Sequence, residues 1–415
     1  MPLVPFARQS KDTPGYSGER LKNLFLRQSD TYATGVLIGR SGLVEVHNLG
    51  GSVRDAIDQN GTLYAVANGT VWKVVAGVPT NVGTVDDDAA TQMAASGSEV
   101  AIVANGKYYI CDGSTTAQHT TGEVTTPVGV AYLGGYFAVI GASASRGDAI
   151  SASDLDDGTT FGGLNFAYAE TDADDLVSII ADHGELWLLG SKTVGQWYID
   201  GTTGFPFAPN LGANLERGAT SNTLAKEDNA VFWVGEDKRV YRSAGASPAV
   251  ISTREVEEVT AVGTIDRCFI VDDKGHKFYV VRFTDRPAFV YDITMNLWSE
   301  FSTGLGEGAF TGRCSVRSGG TFYVGTDGGY LATLDPDTYQ DLGGYLEAEA
   351  ISIPIAKADE FAVNRIYLKV QSGDVILPGK ISLQVSHEDS VWDLEDWEDL
   401  GALGQRSEPV EWWGL

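Results

Sequence analysis

Apolar positions along this chain come in short bursts, and the bursts come in pairs. GTLYAVANGTVWKVV (Gly61–Val75) and SEVAIVANGKYYICD (Ser98–Asp112) are two such pairs, split by Asn68-Gly69 and Asn105-Gly106. Asn and Gly accept the positive φ of a two-residue hairpin turn, so each pair predicts two antiparallel strands. Apolar residues alternating with others along those strands predict sheets with two distinct faces. Five more units follow. GYFAVIG starts at Gly135 and leads to AISASDL; GELWLLGSKTVGQWYI starts at Gly184 and NAVFWVGEDKRVYRS at Asn229. DRCFIVDDKGHKFYVVRF starts at Asp266 and GTFYVGTDGGYLATL at Gly320. The starts are spaced as propeller blades are, at roughly 43 residues per unit. Each hairpin supplies two strands of a four-stranded blade, and segments such as VRDAIDQNG and ETDADDLVSIIADHGEL supply lead-in strands. The expected fold is all-β: a seven-bladed β-propeller over residues 43–342, with six or eight blades as alternatives because the third and sixth units are faint.

The ends break the pattern. Residues 1–42 carry Pro2, Pro5 and Pro14 and then the amphipathic GERLKNLFLRQ (Gly18–Gln28), which reads as an extended N-terminal arm. After Gly343-Gly344 the hairpin unit stops, and YLEAEAISIPI, AVNRIYLKVQS and GKISLQVSHED predict a small β-sandwich-like domain over residues 343–415.

Composition sharpens the picture. The 415 residues include 50 Gly, 10% aromatics and 3 Met, a balance suited to many short strands. The net charge is −27, which excludes a protein that wraps nucleic acid by neutralising phosphates. Charge is unevenly spread: through Arg54 seven basic residues face four acidic ones, so a basic arm precedes an acidic body. Such an arm can lie on the acidic surface of a neighbouring copy. Cys111, Cys268 and Cys314 are odd in number and far apart, which argues for buried thiols and against disulfides. MPLVPFARQS lacks the layout of a secretory signal, and no apolar run is long enough to cross a membrane, so synthesis in the cytoplasm without membrane insertion is expected.

Candidate chemistry is sparse. His47, His119, His183, His276 and His387 are isolated, with no partner at metal-ligand spacing. No GxSxG elbow occurs. Asp154-Leu-Asp156-Asp157-Gly158 resembles a calcium loop but lacks the glutamate at its twelfth position. Other acidic clusters read as solvated turns. Trp72, Trp187, Trp197, Trp233, Tyr64, Tyr109, Tyr198 and Tyr241 recur at matching hairpin positions and read as packing between blades. Neither a catalytic residue nor a cofactor is expected.

Three stretches carry a family resemblance: YSGERLKNLFLR (Tyr16–Arg27), LVSIIADHGELWLLGSKTVGQWYIDGTTGFPF (Leu176–Phe207) and ERGATSNTLAKEDNAVFWVGEDKRVYR (Glu216–Arg242), supported by ISTREVEE (Ile251–Glu258). Together they resemble the packaged-DNA stabilisation proteins of short-tailed bacteriophages, the tail hub or nozzle family. The resemblance implies a structural protein of the virion tail. It would form a ring, usually hexameric, below the portal and its head-to-tail adaptor. That ring would extend the DNA channel, retain the packaged genome and carry tailspike, fibre or needle/plug proteins. Genomic duplex DNA would pass its lumen without sequence-specific binding, and the acidic composition predicts a channel wall that repels phosphate. Arg20, Lys22 and Arg27 are the arm residues expected to reach an adjacent subunit or the adaptor. Trp392, Trp397, Trp412 and Trp413, set among carboxylates, are expected either to touch an appendage or to lie on a final strand closing the small domain. Two rival classes stand beside this reading: a propeller enzyme acting on surface polysaccharide and a receptor-binding propeller.

Overall fold

A computed structural model describes residues 20–28, 35–169, 174–201, 204–244, 247–352, 363–370, 379–388, 391–400 and 410–413. The chain divides into two compact units, Leu21–Glu349 and a second to which Ala350–Leu415 belongs.

The larger unit is a seven-bladed propeller. Blade 1 comprises Val53–Gln59, Thr62–Ala67, Thr70–Val75 and Val78–Thr84, antiparallel in that order from the hub outward. Blade 2 is Gln92–Ala95 to Thr116–His119, blade 3 Thr126–Leu133 to Phe166–Tyr168, blade 4 Leu176–Asp182 to Phe207–Pro209. Blade 5 is Ala225–Glu227 to Ser247–Val250, and blade 6 is Ile265–Asp273, His276–Phe283, Ala288–Asp292 and Leu297–Phe301. Blade 7 takes three strands from residues 312–335 and its fourth, Gly42–Asn48, from the other end of the propeller's sequence. That strand runs antiparallel to Tyr330–Asp335 and closes the ring, so no seam depends on the weak ends of a linear sheet.

Seven buried apolar clusters fill the seven seams. Along Thr62–Ala67, Leu63, Ala65 and Ala67 face blade 7 while Tyr64 and Val66 face blade 2. Both faces are therefore buried, which is why such strands read as nearly continuous apolar runs and not as the alternation expected from one solvated face. The turns follow the sequence closely: Asn68 and Gly69 have φ 47° and 74°, and Asn105 and Gly106 have 50° and 68°. The sixth unit differs from expectation. DRCFIVDDKGHKFYVVRF forms the first two strands of its blade, around Lys274-Gly275, where the other hairpins form the second and third. Tight left-handed turns occur at both positions, so turn chemistry alone does not set the phase.

Residues 21–28 and 35–42, expected in the arm, belong to the propeller unit. Arg20–Lys22 runs parallel to the outer strand of blade 6, with Lys22 opposite Glu300. Leu24–Arg27 then pairs with Val36–Gly39, and the chain continues directly into the closing strand. Phe25 and Leu43 fill the seam between blades 6 and 7. At the other boundary, Glu347 and Glu349 also lie in the propeller unit, beyond the expected end at residue 342.

In the second unit the described strands form two-stranded ladders: Arg365–Leu368 with Val410–Trp413, Lys380–Leu383 with Asp396–Asp399, and Ser386–Glu388 with Val391–Trp392.

Candidate functional site

Every inner strand begins at the same end of the propeller, and in five blades it begins with a β-bulge. The bulged residues are Arg54, Val128, Val177, Asp266 and Arg313. A bulge re-aims one side chain out of the sheet's alternation. In blades 1, 6 and 7 that side chain is charged, and the three converge in one ion network. Arg313 grips Asp266 with Nε at 3.0 Å and Nη2 at 2.9 Å, and reaches Ser52 Oγ of blade 1's approach at 3.0 Å. Arg282 pairs with both Asp266 and Asp327. Arg54 holds Asp87 through two bonds of 2.7 and 2.8 Å. The network ties blade 6 to blades 7 and 1 and to the connection leading into blade 2.

The hub itself is crossed by side chains. Arg267 of blade 6 donates to the carbonyls of Arg54 and Thr91 and pairs with Asp55 at 2.9 Å. Gln92 of blade 2 donates to Ile179 O of blade 4 at 3.0 Å and accepts from Val130 N of blade 3 at 3.3 Å. Inner strands bridged this closely leave no passage for a duplex whose major groove alone is about 12 Å wide.

The strap formed by residues 20–28 and 35–41 has its own polar centre. Lys22, 2% exposed, bonds Glu347 at 2.9 Å and Gly306 O at 3.2 Å, with Glu307 and Glu349 each at 3.6 Å. Arg40 and Asp341 form a fully buried pair. Of the three expected docking cations, Lys22 is therefore engaged within its own chain. Arg27 is exposed and donates to Lys274 O at 2.6 Å, and Arg20 lies on the strand beside blade 6.

Among the four tryptophans expected at a contact, Trp392, Trp397 and Trp413 are 44%, 53% and 66% exposed. Trp412 is turned inward, 3% exposed, its indole N–H on Asp396 O at 3.2 Å. It supports the small unit's packing and is no surface residue. The hairpin aromatics are buried between blades apart from Tyr198, which is exposed, and Trp72, which is half-buried. All three cysteines are buried, and burial pushes the thiols of Cys268 and Cys314 up to about 12.

The acidic clusters mostly cap turns. Asp88 accepts from Asn105 N and Ala90 N, and Asp174 from Lys192 N and Thr193 N. Asp157 accepts from Thr159 N and Asp154 from the Asn165 side-chain amide, and no group of three metal-binding side chains occurs among the described residues. Asp87 has an energetic role: its hydrogen bonds from Arg54 hold its carboxyl below the usual carboxylate range. A depressed folded-state value means stability present above the unfolded value of about 3.9 and lost as pH falls through the folded value. Asp87→Asn is expected to lower the urea midpoint at pH 7 by a modest amount, with the difference from the parent closing as the pH drops below 4. A gap that persists at low pH would assign the effect to shape and not to charge.

The sequence reading did not find Arg40, Asp341, Arg267 or the bulge network. One signal was present: Arg54 in VRD, Asp266 in IDR and Arg313 in GRC put a charged residue at the second position of an inner strand.

A ring of seven blades closed by a strand from the other end of the propeller's sequence, and bridged across its hub by side chains, defines the class: a closed β-propeller. A family model described as "Bacteriophage P22 Gp10, beta-propeller" matches residues 2–339. The chain belongs to that family and is a structural protein of a bacteriophage virion. No curated protein matches its sequence. Similar solved structures include the computationally designed Ika8 protein, at 14% identity over 71% of this chain and 99% of that one, TM-score 0.45. PorZ, a surface component of the type-IX secretion system of Porphyromonas gingivalis, is 14% identical over 87% of this chain and 46% of its own, TM-score 0.42. U3-55K is 10% identical over 70% and 93%, TM-score 0.47. Among the described residues no helix is long and apolar enough to cross a membrane.

Proposed function

We propose that this chain is a tail hub or nozzle subunit. Copies form a ring below the portal and adaptor, and packaged DNA is retained above or within that ring and later passes through it. The carrying observation is the bridged hub. DNA has no path through a single propeller, so a channel role requires a wall built from several copies side by side. The net charge of −27 suits such a wall, because a surface poor in cations offers phosphate few places to bind during ejection. The basic residues of the arm that precede the propeller serve docking to the adaptor or a neighbour, and Trp392, Trp397 and Trp413 supply contact area for tail appendages.

The test uses particles assembled without this chain. Heads are expected to fill and then lose their genome, so most packaged DNA becomes nuclease-sensitive. Restoring the purified chain during assembly should rescue retention. Particles that lack the chain yet keep their DNA and infect normally would overturn the role.

A further inference from the structure

From Ile381 to Gln405 the sequence carries seven carboxylates and no lysine or arginine. Within that stretch every residue from Val391 to Asp399 is exposed. A strand with one face on a core buries every second residue, and here neither face is buried. Four of the nine side chains are large and apolar: Val391, Trp392, Leu394 and Trp397, with Leu394 94% exposed. The other five are Asp393, Glu395, Asp396, Glu398 and Asp399. A single exposed apolar residue needs no explanation, but four crowded into one strip mark a contact surface.

The chain itself shows what aromatic rings and carboxylates hold together. On the ladder of Arg365–Leu368 with Val410–Trp413, Arg365 stands 5.1 Å from the Trp413 ring and 5.4 Å from the Tyr367 ring. Its Nη1 lies 3.5 Å from Glu411 Oε1. Two rings and an acid thus make a seat for one guanidinium, and that seat is filled. Trp397 has the same ingredients, with Asp396 and Glu398 on either side of it in sequence and Ser382 across the ladder. The one cation of its ladder, Lys380, lies opposite Asp399 at 3.9 Å. Among the described residues no cation stands over the ring of Trp392 or Trp397.

We infer that Val391–Asp399 docks a segment of a partner protein that carries lysine and arginine. Its cations seat on Trp392 and Trp397 beside the flanking carboxylates, and its apolar side chains cover Leu394. This rests on the contact role given above to the exposed tryptophans and names the chemistry of their partner. Charge selects the occupant. Residues 350–415 hold twelve acidic residues against five basic ones, a net −7. Nucleic acid, an anionic membrane and the acidic body of another copy are all repelled by such a surface. A bare metal ion would answer the carboxylates alone, and no group of three metal-binding side chains gathers among the described residues. A basic peptide uses both halves of the strip, because a cation over an indole is attracted by the ring and by the acids beside it.

The experiment titrates full-length protein with a short labelled peptide of repeating Lys-Leu-Arg-Gly, read by fluorescence anisotropy. The same peptide with glutamine at every cationic position is the comparison. The cationic peptide is expected to bind roughly tenfold more tightly, and to weaken several-fold as salt rises from about 50 to about 300 mM. An acidic protein attracts any cation loosely, so the tryptophans decide. Trp392→Ala combined with Trp397→Ala should weaken binding roughly tenfold. Both residues are exposed, so the melting curve should not move. Asp285→Asn, an exposed acid of the propeller, should leave binding unchanged. Equal binding of the two peptides, or a neutral oligosaccharide such as maltohexaose competing as well as the cationic one, would assign the strip to stacking and overturn the inference. Binding that ignores both tryptophan changes would reduce it to diffuse attraction and overturn it equally. Particles assembled with the double variant separate this from the reading beneath it. If they lose appendages while the peptide fails to bind the parent chain, the contact role stands and its basic partner is rejected. If they keep every appendage, the contact role falls and this inference falls with it.

Discussion

Arg40→Ala is expected to destabilise the propeller by about 3–5 kcal/mol, the cost of leaving one half of a buried ion pair without its partner. The residue is 1% exposed and its partner Asp341 is fully buried. All five guanidinium N–H groups are used. Nε donates to Asn23 Oδ1 at 2.8 Å, Nη1 to Ser41 O at 3.1 Å and Asp341 Oδ1 at 2.9 Å, and Nη2 to Ser302 O at 2.7 Å and to Asp341 Oδ2. The cation also stands 5.5 and 5.1 Å from the rings of Phe301 and Phe310. Asp341 holds Leu43 N and Thr303 Oγ1 in turn, so the pair joins the strap, the closing strand and the connection between blades 6 and 7. Arg40→Lys keeps the charge but has three donors and no planar fork, and it should recover less than half of the loss. Replacing both partners, Arg40→Met with Asp341→Leu, should be far milder than either single change, because no charge is left stranded. Urea midpoints of the parent, these variants and the two single changes check this. A loss below 1 kcal/mol for Arg40→Ala would mean that closure depends on the strand ladder and the apolar seam alone. Because closure of blade 7 holds the wheel together, the same variant should also expose the Gly42–Asn48 segment to proteolysis.

What was legible in the sequence is what is local. Asn68-Gly69 and Asn105-Gly106 announce hairpins because the turn's φ requirement is met by those two residues themselves, and repetition of the unit gives the wheel. The phase of the sixth blade was not legible, since Lys274-Gly275 and the Asn-Gly turns satisfy the same requirement at different strand positions. Contacts spanning the chain were hidden for a different reason. GERLKNLFLRQ reads as a free amphipathic arm because the acids that neutralise Lys22 lie about 300 residues further on, and the strand that receives it belongs to blade 6. Bulges hide charges too. Arg54, Asp266 and Arg313 look like solvent-facing interruptions of apolar strands until the extra residue turns all three toward one another. For the small unit, two adjacent tryptophans point opposite ways: Trp412 inward and Trp413 outward, as the strand's alternation requires. A final strand in the small domain was one of the two expectations for these residues, and on the strand Val410–Trp413 the two take opposite faces.

Asp266→Ala should cost about as much as the loss of Arg40, because this one carboxylate serves two buried cations. Arg282 and Arg313 have side chains 4% and 2% exposed, and both reach Asp266. Removing it leaves Asp327 as their shared anion, with Arg313 Nε 3.5 Å from it. Asp327 is 45% exposed and so is partly hydrated, which makes it a weaker counter-charge than the one lost. Arg282 also keeps its bond to Phe310 O at 2.8 Å, and Arg313 its bond to Ser52 Oγ, so the cations stay in place with their charge undercompensated. The loss should fall by about 3–5 kcal/mol on wild-type stability. It should show as loosening at the seams of blades 6, 7 and 1, where hydrogen exchange at Cys268, Cys314 and their strand neighbours would quicken before that in blades 3 and 4. Asp266→Asn keeps the shape but replaces one accepting oxygen by an NH2 donor, so it separates packing from charge and acceptance: it should lose most of the stability that alanine loses. If Asp266→Asn matches the parent, the network works through hydrogen bonds and shape, and the charge at the bulge contributes nothing. If exchange quickens uniformly around the wheel, the seven seams fail as one unit and the network is no local clasp.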